Sequence, residues 1–64
     1  MRVNMIAARK VKNLTQAQLG ALVGLSGQSI CDIEKGRTKG QVDTWDKLSA
    51  VLKVKADRLR QIAS

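Results

Sequence analysis

The stretch Thr15–Gly36, TQAQLGALVGLSGQSICDIEKG, leaves the chain little choice of fold, because two helix starts and two helix stops follow one another within it. Thr15 offers a hydroxyl that accepts a backbone N–H at a helix start, and Gln18, three residues on, reaches back to complete a capping box. A helix is therefore predicted to begin at Gln16. Leu19, Leu22 and Val23 recur along it at three- and four-residue spacing, and Gly24 supplies the residue that tolerates the left-handed backbone on which helices end. Ser26 is a second capping side chain. Ile30 and Ile33 then repeat on one face of a helix over about Gly27 to Lys35, and Gly36 offers the second stop.

Two helices joined by so short a corner must cross steeply, which is the geometry of a helix-turn-helix unit. The small residues fit that crossing. Gly20 lies one turn before the corner, where a longer side chain would hold the second helix off the first. Leu19, Val23, Leu25, Ile30 and Ile33 form the apolar wedge that sets the angle. The competing reading is an ordinary helical hairpin in an unrelated bundle, since any such corner favours glycine.

With these positions in view, TQAQLGALVGLSGQSICDIEKG resembles the DNA-binding domain of the lambdoid phage repressors, the Cro proteins and the wider Xre class of bacterial regulators. That family's pattern is Thr-Gln, a Leu followed by a small residue, Gly-hydrophobic-Ser at the turn, Ser-Ile within the second helix and Glu-x-Gly at its end. The likeness continues through VDTWDKLSAVLKVKADRL, so it covers nearly the whole chain. It implies an all-α, compact five-helix lambda-repressor-like domain over residues 1–64, with the motif core at 16–35, that binds double-stranded DNA. It says little about which operator.

Composition narrows the alternatives. Sixty-four residues make one small domain, close to the lower limit at which a core folds without a metal or disulfide. One Cys and no His exclude a disulfide framework and a His/Cys zinc site within the chain, so neither metal nor cofactor is expected. No apolar run reaches membrane-spanning length, and MRVNMIAARK lacks the hydrophobic region of a signal peptide, so a cytoplasmic protein with no membrane partner is expected. A net charge of +7 points to a polyanion. With Phe and Tyr absent and Trp45 the sole aromatic residue, no platform exists for stacking unpaired bases, which favours duplex over single strands.

Along the chain, Met5 and Ala8 lie on one stripe of a first helix from Arg2 to about Lys12, and Asn13 suits its exit. Trp45, Leu48 and Leu52 mark an amphipathic helix over about Val42 to Leu52. Leu59 and Ile62 mark a last short helix from Ala56 to about Ile62, closing the core with Val54. Trp45 reads most simply as a core residue. Glu34 falls about 40° around its helix from Ile30, so its carboxylate points toward the apolar side and needs a partner. The resemblance supplies one, because an arginine at the position of Arg9 pairs in that family with a glutamate at the position of Glu34.

With Ile30 and Ile33 inward, Gln28, Cys31, Asp32 and Lys35 project outward from the second motif helix. Its first turn is the part that enters the major groove, where an amide side chain can bond adenine N6 and N7 together, making Gln28 the first candidate base reader. By positional match Gly27 and Cys31 also face the groove, Gly27 by allowing close approach. Cys31 either meets a thymine methyl or is merely a small half-buried residue. Asp32 accepts from cytosine N4, is held by Gln28, or is solvated beside the groove. The resemblance lays the loop Arg37, Thr38, Lys39 and Gly40 on the sugar-phosphate backbone, with Gln16 on a neighbouring phosphate. Ser26, Ser29 and Lys35 complete the expected phosphate contacts. Gly40 stands where family members often have Pro, which makes the loop less rigid. Lys53 stands in place of a usual Gly, Lys55 in place of a usual capping Ser, and Ser49 where Ala is usual.

The resulting expectation is a Cro/Xre-like transcriptional regulator, in the first instance a repressor. It binds a palindromic operator as a homodimer that is weak in solution and promoted by DNA, through Ala56, Leu59 and Arg60. The alternative is a protein-interaction module such as a DNA-binding antitoxin, favoured by Leu22 and Val51 as exposed apolar residues. An enzyme is a poor reading, because Ser29 and Cys31 lack a His base and the five acids are scattered.

Overall fold

Thr15 opens its helix with both halves of the capping box: its hydroxyl accepts from the Gln18 backbone N–H at 3.0 Å, and its own N–H donates to Gln18 Oε1 at 2.9 Å. The computed structural model describes residues 1–62, and over these the chain forms five helices and no strand: α1 Val3–Val11, α2 Gln16–Val23, α3 Gly27–Lys35, α4 Val42–Leu52 and α5 Ala56–Arg60. The chain folds as the all-α helix-turn-helix domain that its patterning implies.

The two motif helices meet at Gly24, which adopts φ 77° and ψ 29°, a left-handed conformation that a side chain would strain. The Leu25 N–H then donates to the Gly20 carbonyl at 2.7 Å, closing the corner. A Cβ on Gly20 would run into the Leu25 carbonyl oxygen, so the crossing of α2 over α3 depends on glycine there. The core gathers Met5, Leu19, Val23, Ile30, Ile33, Trp45, Leu48, Leu52 and Leu59, with Leu25 half-buried beside it.

Three expectations need correction. Helix α1 starts at Val3 and stops at Val11, with Arg2 and Lys12 flanking it. Helix α5 stops at Arg60, because Gln61 turns to ψ 136°; Ile62 therefore lies outside the helix, 55% exposed, instead of beside Leu59. Leu22 faces outward at 58% exposure, as read from the sequence, and the buried stripe of α2 is Leu19, Gly20 and Val23. Val51, expected as an exposed apolar residue, packs half-buried against the core.

Candidate nucleic-acid interface

Helix α3 owes its orientation to Ile30, Ile33 and Glu34, all buried on one side. Glu34 is the ionic anchor of that side. Arg9 Nε donates to Glu34 Oε2 at 2.7 Å and Arg9 Nη2 to Oε1 at 3.3 Å, while Gln16 Nε2 donates to Oε1 at 3.0 Å. Arg9 Nη1 also donates to the Leu14 carbonyl. Three helices are thus tied through one buried carboxylate, and removing either charge would strand the other, at about 3–5 kcal/mol. Gln16, expected on a phosphate, has its amide nitrogen engaged with Glu34; its second N–H remains to reach an anion.

The opposite edge of α3 carries Gln28 and Lys35, both exposed, and Cys31 and Asp32, both half-buried. Cys31 is a free thiol. Gln28 Nε2 donates to Asp32 Oδ1 at 3.1 Å, and Arg37 Nη1 donates to the same oxygen at 3.3 Å. The Gln28 bond is one of the arrangements read from the sequence; the Arg37 bond has no local pattern to announce it. Gly27 also has a packing role. A Cβ there would come within 3.2 Å of the Ala17 backbone, so the missing side chain serves the packing of α3 on α2. At the helix start Ser26 accepts from the Ser29 N–H at 3.1 Å and donates to Ser29 Oγ at 3.0 Å. The Ser26 hydroxyl is occupied by the cap, and the Ser29 hydroxyl keeps its proton for an outside acceptor.

The loop after α3 is held from beneath. Arg2 Nη1 donates to the Thr38 carbonyl at 2.8 Å, and Trp45 Nε1 donates to the Lys39 carbonyl at 2.9 Å. Gly40 takes φ 71° directly over the indole, where a Cβ would stand 2.7 Å from Trp45 Nε1. Glycine suits this position because of its positive φ and its close approach to the indole. The Arg37, Thr38 and Lys39 side chains are left exposed beside the outward edge of α3. A recess of about 420 Å³ separates that edge from the loop; Ser29, Asp32 and Thr38 line it together with Gln41 and Thr44, which no sequence signal marked.

Arg2 is the residue that sequence reasoning missed. Its Nη1 also donates to the Ile33 carbonyl at 2.7 Å, its Nε to the Arg60 carbonyl at 3.1 Å, and its backbone N–H to the Glu34 carbonyl at 2.7 Å. The guanidinium lies 5.1 Å from the centre of the Trp45 ring. Only 5% exposed, it caps the carbonyl ends of α3 and α5, where a cation is favoured by the helix dipole. Burial, and then repulsion from Arg60, push its pKa below the ordinary arginine value. Nothing local in the sequence could reveal it, since these side-chain partners lie 31, 36 and 58 residues away.

The residues expected at a dimer contact differ in exposure. Leu59 is wholly buried in its own core and offers no surface to a second copy; Ala56 packs half-buried against that core and Arg60 is exposed. Among the described residues no group of three or more His, Cys, Asp or Glu side chains could hold a metal, and no helix is long and apolar enough to cross a membrane. A family model described as helix-turn-helix matches residues 5–59. Comparison with curated proteins and with solved structures returns no match.

Proposed function

The chain belongs to the Cro/C1-type helix-turn-helix family of DNA-binding regulators, and from that premise we propose that it represses transcription by occupying a palindromic duplex operator as a dimer assembled on the DNA. The observation that carries this reading is the two-sidedness of α3: its isoleucines and Glu34 are buried, while Gln28, Cys31, Asp32 and Lys35 edge outward beside the cations of the supported loop. Gln28 reads a base through its amide and Cys31 lies against the groove. Lys35, Thr38, Lys39 and Gly40 follow the phosphates, joined by the Ser29 hydroxyl and the second N–H of Gln16, while Arg37 beside them is bonded to Asp32.

Size supports the second copy. The longest extent of the molecule is 28 Å, less than the roughly 34 Å between successive major-groove faces, so one copy spans a single half-site. The surface around Ala56 and Arg60 is the dimer contact in this reading, and the basic charge of Lys55, Arg58 and Arg60 keeps it weak without DNA. The exposed Leu22 favours a second reading, an interaction module whose main partner is another protein.

Selection of bound sites from a random duplex pool tests the proposal. It is expected to return an inverted repeat with half-site centres about 10 bp apart. The logarithm of affinity is expected to fall with the logarithm of salt at a slope of about −5 to −9 for roughly six to ten phosphate contacts. A flat salt response with no enriched sequence, together with co-purification of an unrelated protein, contradicts it in favour of the second reading.

A further inference from the structure

We propose that Asp32 is a positioning residue that makes α3 selective for sequence while lowering its affinity for duplex DNA in general; this rests on the DNA-reading function above. A carboxylate on an edge that faces phosphates opposes binding, so its presence there calls for a role. Its bonds supply one. An ionised carboxylate has no proton to give, so each group bonded to it must donate. Asp32 Oδ1 receives one N–H from Gln28 and another from Arg37.

The Gln28 bond decides which way the amide faces. A free glutamine amide can turn over and present donor and acceptor in either order; here the nitrogen is drawn toward Asp32, one helical turn on, and the carbonyl oxygen is directed away. The nitrogen keeps its second proton. Together with Oε1 it forms an acceptor and donor pair in a single order, the pairing that adenine N6 and N7 require. The Arg37 bond has a different consequence. It engages a cation, 60% exposed, that would otherwise be attracted to any phosphate. Asp32 thereby removes one non-specific attraction while ordering one specific contact.

The test is Asp32→Asn, close to the same shape, whose amide can either donate or accept and so no longer dictates the direction of Gln28. Wild type and variant are titrated against the selected operator duplex and against duplexes with each half-site base pair replaced in turn. Wild type is expected to discriminate by about tenfold or more at the pair facing Gln28. Asp32→Asn is expected to flatten that one position to within about threefold, to bind scrambled duplex more tightly, and to steepen the salt slope by about one per protomer. In ¹⁵N-resolved spectra of the free protein the Gln28 side-chain amide protons should shift on substitution while the core resonances stay in place. Unchanged preference and slope in Asp32→Asn overturn the proposal, as does an equal loss on every duplex. If wild type itself shows no sequence preference, the DNA-reading function fails and this inference falls with it.

Discussion

Two corners of this molecule share one spacing and differ in how they are made. In the first, Val23 ends α2, Gly24 turns left-handed, and Leu25 and Ser26 lead into α3. In the second, Leu52 ends α4, Lys53 turns left-handed at φ 57°, and Val54 and Lys55 lead into α5. Gly24 and Ser26 are residues whose own chemistry favours these positions, and the Ser26 side chain caps α3. Lys53 and Lys55 are not, and α5 has no side-chain cap at its start.

The second corner is held by the rest of the protein. The Ser49 hydroxyl donates to the Val54 carbonyl at 2.7 Å, which accounts for serine where alanine is usual in the family. Asn4 Nδ2 donates to the Arg58 carbonyl and Arg2 Nε to that of Arg60, and Leu59 is sealed in the core. A corner can thus be written locally or imposed from a distance. The corner that leads into α3 is the local one.

The largest way to break this contrast is Leu59→Ala. Emptying the anchor of α5 is expected to remove about 2–5 kcal/mol, much of what so small a domain possesses, measured as a fall in the urea midpoint. Gly24→Ala should cost about 1–2 kcal/mol, since the left-handed backbone must be kept with a side chain attached. Lys53→Gly should act in the opposite direction, stabilising by about 1 kcal/mol and raising Tm by about 4–8 °C. If Lys53→Gly leaves Tm unchanged, the second corner carries no local strain and the contrast disappears.

The same contrast explains how much could be read in advance. The bounds of α2, α3 and α4 follow from Thr15, Gly24, Gly36 and the spacing of Trp45, Leu48 and Leu52, all of them local signals. The end of α5 did not follow, because Ile62 continues the apolar spacing of Leu59 while the backbone leaves the helix at Gln61. Of the site, the outward edge of α3 was legible from the burial of Ile30 and Ile33. The pinning of the loop by Arg2 was not, since Thr38 lies 36 residues away; neither were the Trp45 bond to the Lys39 carbonyl and the packing of Gly27 on Ala17, which are nearer in the chain but leave no trace in apolar spacing or capping residues.

The central claim is that α3 reads bases while the loop behind it grips phosphates, and parallel titration of Gln28→Ala and Lys39→Ala against selected and scrambled duplexes tests it most directly. Gln28→Ala is expected to lose about 1–3 kcal/mol on the selected site and little on scrambled DNA, whereas Lys39→Ala should weaken both alike and reduce the salt slope by about one. Equal losses on every duplex for both variants would contradict the division of labour between helix and loop.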